Sequence, residues 1–135
     1  MKILIVGSGN MGKTYARSFL SSRVITEKDL FILDKSREQI AGLTEVSSGN
    51  VFDKPDSFIT AADIVILAVK PQDFASLAEQ IKPYITGGHL LLSIMAGIKI
   101  NAIIGLLGSN RVVRCMPNLP AQIGMGMTVF TSSAD

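Results

Sequence analysis

The chain has 135 residues, a formal net charge of +2, and 47% hydrophobic and 18% charged residues; that bounds it to one domain with a buried core and excludes a disordered chain. The small, dispersed charge and the lack of Trp exclude a basic nucleic-acid surface, and no stretch approaches the roughly 20 apolar residues of a membrane span. The single cysteine, Cys115, excludes an internal disulfide framework and suits a reducing compartment, so the expected location is cytoplasmic.

Residues 2–6 (KILIV) read as a buried strand, followed by a glycine loop and a helix over 10–22. In that helix Met11, Tyr15, Ala16, Phe19 and Leu20 recur at helical spacing. LFILD (30–34) predicts a second strand and KSREQI a charged helical turn after it. TEVSSGNV (44–51) supplies a short third strand. DIVILAV (63–69) is a flat-hydrophobic strand, Pro71 suits the first turn of a helix, and Phe74, Leu77, Ala78 and Ile81 share one face of that helix over 72–83. A strand over 89–95, a helix over 99–107, a strand over 111–116 and a last strand over 127–132 complete the chain. Alternating strands and helices, with continuously apolar strands, predict an α/β fold whose mainly parallel sheet is covered on both faces.

VGSGNMGKT (6–14) fits two phosphate-binding patterns. As Gly7-x-Gly9-x-x-Gly12 it is a dinucleotide loop of Rossmann type, in which Gly7 turns, Gly9 admits a pyrophosphate and Gly12 lets helix and strand pack closely. As Gly7-x-x-x-x-Gly12-Lys13-Thr14 it is a nucleoside-triphosphate loop, with Lys13 on phosphate and Thr14 on Mg²⁺. Both need a strand, a loop and a helix N-terminus. Asp34, about 20 residues on at a strand end, suits ribose hydroxyls, a metal-binding role in the second pattern, or a helix cap.

Three later segments fall at predicted carboxyl ends of strands, the ligand edge of open α/β sheets: AVKPQ (68–72), SIMAG (93–97) and RCMPNLP (114–120). Together with the GSGNMG loop and Gly124-Met125-Gly126, they make nearly the whole chain resemble the pyrroline-5-carboxylate reductase family. The resemblance implies a doubly wound Rossmann domain over residues 1–135, so that Lys13 and Thr14 are ordinary helix residues. It implies reduction of a cyclic imine, pyrroline-5-carboxylate, to proline with hydride from NADPH or NADH.

By the same resemblance, Gly7, Gly9, Asn10, Met11 and Gly12 cradle the pyrophosphate, and Ala68, Val69, Lys70 and Pro71 line the central part of the cofactor. Ser93, Ala96, Gly97, Met116, Pro117 and Asn118 shape the nicotinamide end. Two positions depart from the family: Leu119 stands where it usually has Thr, and Pro55 where it often has an adenosine-side Asn. The family's helical second domain, which binds substrate and makes the oligomer contacts, is absent from these 135 residues. The expectation is therefore a cofactor-binding part inactive by itself, with homo-oligomerisation belonging to the full-length protein. The alternatives are a dinucleotide-binding or sensing module without catalysis, or a related NADP-dependent oxidoreductase of the β-hydroxyacid dehydrogenase or deazaflavin–NADP group. The Arg114–Asn118 segment argues against that last pair.

Asp34 favours NADH by repelling a 2′-phosphate, whereas Lys35, Ser36 and Arg37 offer to hold one; Arg37 reads equally as a solvated helix charge. Cys115 in an apolar strand is a buried structural thiol. His89 is structural, with no second ligand at metal spacing. Arg114 is placed to reach an anionic group, although the usual fate of such an Arg, and the expectation here, is a salt bridge beneath the sheet edge. No catalytic acid–base cluster and no metal site emerge.

Overall fold

The computed structural model describes residues 1–43, 46, 50–118 and 127–133, with the side chain of Arg37 left aside. Seven strands form one sheet in the order β3-β2-β1-β4-β5-β6-β7. They are β1 (Ile3–Val6), β2 (Leu30–Leu33), β3 (Val51–Phe52), β4 (Ile64–Leu67), β5 (Leu90–Ser93), β6 (Val112–Pro117) and β7 (Thr128–Ser132). The first six run parallel, and β7 is antiparallel to β6. The helices are α1 (Asn10–Ser21), α2 (Arg37–Ala41), α3 (Pro71–Ile81) and α4 (Ile100–Leu107).

β1 is buried along its whole length, as a central parallel strand covered on both faces must be. The two-residue period of a strand divides its side chains between two cores. Leu4 and Val6 join Val65, Leu67 and Leu91 against Phe74, Ala78 and Ile81 of α3 and Ile103 and Leu107 of α4. Ile3 and Ile5 join Leu30, Ile32 and Ile66 beneath Ala16, Tyr15 and Phe19 of α1. The sheet is thus doubly wound, as the alternation of elements predicts. The strand order turns back between β1 and β4, and such a switch point opens a crevice at the carboxyl ends of the strands.

Several boundaries differ from the sequence reading. The third strand is only Val51–Phe52, paired with Ile32 and Leu33, at the last residue of the predicted 44–51 segment; residues 44, 45 and 47–49 lie outside the described residues. α3 stops at Ile81 and continues as a 3-10 turn over Lys82–Tyr84, because Pro83 has no N–H to extend the α-helical ladder. A further 3-10 turn, Ser57–Ala61, buries Ile59 against β4. β7 is reached through residues 118–127, too short for the crossover that a parallel neighbour needs.

Candidate dinucleotide site

The glycine loop is held by backbone on both sides. Gly7 N–H donates to the Leu33 carbonyl at 2.8 Å, and Ala68 N–H donates to the Val6 carbonyl at 2.8 Å. Gly7 has φ +97°, and a Cβ there would stand 2.8 Å from the Ala68 carbonyl and 2.9 Å from Val69 Cγ1. A Cβ on Gly12 would collide with the Gly7 carbonyl, so α1 lies directly on the loop. Gly9 differs: it lines the cleft beyond the loop and nothing lies within 4 Å of its Cβ direction. Two glycines are therefore needed for packing, while the third leaves open the space that a phosphate would enter next to the α1 N-terminus.

The cleft has a volume of about 360 Å³. One wall comes from the loop and the end of β2, with Gly7, Gly9, Asp34, Lys35 and Ser36; Ala68, Val69, Lys70, Asp73 and Leu77 form the other, and Asp53 and Pro55 also line it. Asp34 is not turned outward as a free carboxylate. Its Oδ2 accepts from Ser8 N–H at 2.6 Å and from Ser8 Oγ–H at 2.7 Å, and its Oδ1 accepts from Ser36 N–H at 2.8 Å. The helix-cap role belongs instead to Ser36, whose Oγ accepts from Gln39 N–H at 3.3 Å. Lys35 Nζ reaches across to Asp73 Oδ1 at 3.2 Å.

The triphosphate pattern does not assemble. Lys13 Nζ donates to Gln39 Oε1 at 3.0 Å, and Thr14 Oγ1–H donates to the Asn10 carbonyl within its own helix at 2.8 Å. Neither side chain lines the cleft. Both are ordinary helix residues.

The remaining candidates share the carboxyl edge but lie outside this cleft. Asn10 and Met11 begin α1 without lining it, and Pro71 occupies the first turn of α3. Ser93 is fully buried, its Oγ accepting from Met95 N–H at 3.3 Å, while Ala96 and Gly97 are exposed just beyond it. Met116 is exposed at the end of β6 beside Pro117. Asn118 Oδ1 accepts from Met127 N–H at 2.9 Å, tying the start of β7 to the end of β6. Leu119, Pro120 and the Gly124–Gly126 stretch lie outside the described residues.

Arg114 departs from its expected salt bridge. Among the described residues its guanidinium contacts Met116 Sδ at 3.5 Å, and its buried Nε has no acceptor. His89 is buried, with Nδ1 accepting from Thr86 N–H at 2.9 Å. Cys115 is buried, and burial pushes its thiol pKa up. No group of three or more metal-ligating side chains occurs among the described residues, and no helix there is long and apolar enough to cross a membrane.

Sequence reasoning missed Ser8 and Asp73. Ser8 is an unspecified position in the glycine pattern, and its partner is 26 residues away. Asp73 reads as a routine first-turn acid, and only the fold brings Lys35 to it.

A parallel α/β sheet with a glycine loop and a cleft at its switch point defines a dinucleotide-binding domain of Rossmann type. The chain belongs to the family described as NADP oxidoreductase, coenzyme F420-dependent, whose model matches residues 2–97. That match ends before the Arg114–Asn118 segment, on which the sequence argument against the deazaflavin group rests. The full chain is 36% identical to a pyrroline-5-carboxylate reductase of Staphylococcus saprophyticus, covering 100% of this chain and 51% of that protein. A pyrroline carboxylate reductase of Plasmodium falciparum, solved with NADP bound, superimposes with a TM-score of 0.84 at 29% identity, over 100% of this chain and 49% of that one. A pyrroline-5-carboxylate reductase of Coxiella burnetii gives 0.83 at 25% identity, over 99% and 51%. The chain thus spans about half the length of these relatives.

Proposed function

We propose that the cleft binds NADPH or NADH, and that the chain is the cofactor-binding part of a reductase acting on a cyclic imine of the pyrroline-5-carboxylate type, in proline biosynthesis. The observation that carries the reading is the contrast within the loop. Gly7 and Gly12 are packed against backbone, whereas Gly9 opens onto the cleft.

A bound nicotinamide dinucleotide supplies a hydride. The N–H groups at the start of α1 receive the pyrophosphate, with Gly9 leaving room for it. Asp34 holds the loop through Ser8, and Lys35, Ser36 and Arg37 would read a ribose 2′-phosphate. Ala68, Val69, Lys70 and Pro71 border the middle of the cofactor. Ser93, Ala96, Gly97, Met116, Pro117 and Asn118 hold the edge where the nicotinamide would lie. A protonated imine carbon is already electrophilic, so placing it against the cofactor is the main requirement.

We assign the substrate carboxylate site and the homo-oligomer contacts to the part of the protein corresponding to the other half of its relatives. A cytoplasmic location and the absence of a nucleic-acid partner belong to the same reading. Calorimetric titration with NADPH, NADH and MgATP tests it. Binding of a dinucleotide without a MgATP response is expected, and MgATP binding without either dinucleotide would overturn it.

A further inference from the structure

The Lys35–Asp73 pair spans the cleft from the end of β2 to the first turn of α3. The Lys35 side chain is 82% exposed and that of Asp73 41%. A pair so open to water adds little to folding, and its long, flexible lysine is free to leave. Asp73 is the more fixed partner. Its N–H donates to the Lys70 carbonyl at 3.0 Å, and it sits near the N-terminus of an 11-residue helix, where the helix dipole favours an anion. A swinging cation is therefore held by an anchored anion on the opposite wall.

We propose that Asp73 is a specificity-determining residue: its carboxylate competes with a ribose 2′-phosphate for Lys35, and so lowers the preference of the cleft for NADPH over NADH. This rests on the reading of the cleft as a dinucleotide site. A phosphate monoester carries about −1.5 to −2 charge near neutral pH, enough to draw Lys35 away from a single carboxylate. The exchange breaks the Asp73 contact, and that loss opposes NADPH binding. NADH has no 2′-phosphate and leaves the pair intact, so the opposing term falls on NADPH alone.

The test is calorimetric titration of the unsubstituted chain, Asp73→Asn, Lys35→Gln and the double variant with NADPH and with NADH. Asp73→Asn is expected to raise the NADPH-to-NADH affinity ratio by about 1.5- to fivefold, the scale of one exposed ion pair. Lys35→Gln is expected to lower that ratio, and adding Asp73→Asn to it to restore nothing. A fall in the ratio for Asp73→Asn would show that Asp73 presents Lys35 to the phosphate, and overturns the proposal. An equal rise in the Lys35→Gln background would mean direct repulsion without Lys35, and overturns it too. Binding of both cofactors with an unaltered ratio overturns the competition while the dinucleotide site stands. Binding of neither by the unsubstituted chain overturns both.

Discussion

Asp34 and Ser8 are joined twice: one carboxylate oxygen accepts from the Ser8 main-chain N–H at 2.6 Å and from its hydroxyl at 2.7 Å. Ser8 is 1% exposed, so the contact lies under the surface of the cleft. The same carboxylate takes the Ser36 N–H on its other oxygen. The glycine loop and the start of the β2–α2 connection are thereby set relative to one another by one side chain.

Asp34→Ala should therefore disturb more than a ribose contact. Losing three hydrogen bonds to a charged acceptor should destabilise the fold by more than about 3 kcal/mol, the upper value for a single such bond, and affinity for NADPH and NADH should fall together. Ser8→Ala keeps the main-chain donor and loses one bond to the carboxylate, which should cost about 1.5–3 kcal/mol. Thermal unfolding and titration of both variants check this; a loss confined to one cofactor, with unchanged stability, would refute the loop-setting role.

Gly9→Val and Gly12→Ala should separate binding from folding. Gly9 has φ −66° and open space at its Cβ direction, so the valine variant should fold with a melting temperature within a few degrees of the parent and bind neither dinucleotide. At Gly12 even one methyl collides with the Gly7 carbonyl. That variant should lose about 1–3 kcal/mol as an overpacked contact does. Circular dichroism melts beside titration distinguish the two.

Lys13→Ala should change dinucleotide affinity by less than about twofold, the effect of one screened charge outside the cleft. The lysine is engaged with Gln39 at 3.0 Å and does not line the cleft. A tenfold loss of NADPH binding, or a MgATP response abolished by the substitution, would return the lysine to the phosphate site.

Stability should also fall in alkali. Burial, the largest cause for both groups, raises the pKa of Cys115 and of Tyr15, and the nearby Cys115 charge raises Tyr15 further. A group whose folded pKa exceeds its unfolded value stabilises the fold fully below the unfolded value, and that contribution is lost as pH rises through the folded one. The decline should begin near pH 8.5–9, about where an unfolded thiol titrates. Urea melts from pH 7 to 10.5 should show it, and Cys115→Ala should reduce the slope. A slope unchanged by that substitution would assign the decline to Tyr15.

The strands and helices were legible in the sequence because their signals are local. ILIV and IVIL are apolar without interruption, as strands covered on both faces are, and Phe74, Ala78 and Ile81 keep a helical period. The loop glycines were equally legible, since Gly7 and Gly12 answer to backbone within a few residues or on the adjoining strand and Gly9 to the open cleft beside them. Two phosphate patterns nonetheless overlapped on one stretch, because pattern matching cannot say where Lys13 points. The tertiary structure decided that, by setting Gln39 of α2 beside it. It also decided that Asp34 faces Ser8, that Lys35 meets Asp73 across 38 residues, and that β7 runs antiparallel to β6. Local propensity and periodicity act over a turn of helix or a few strand residues, whereas a hydrogen bond or ion pair across the cleft depends on where the packed sheet brings distant strand ends.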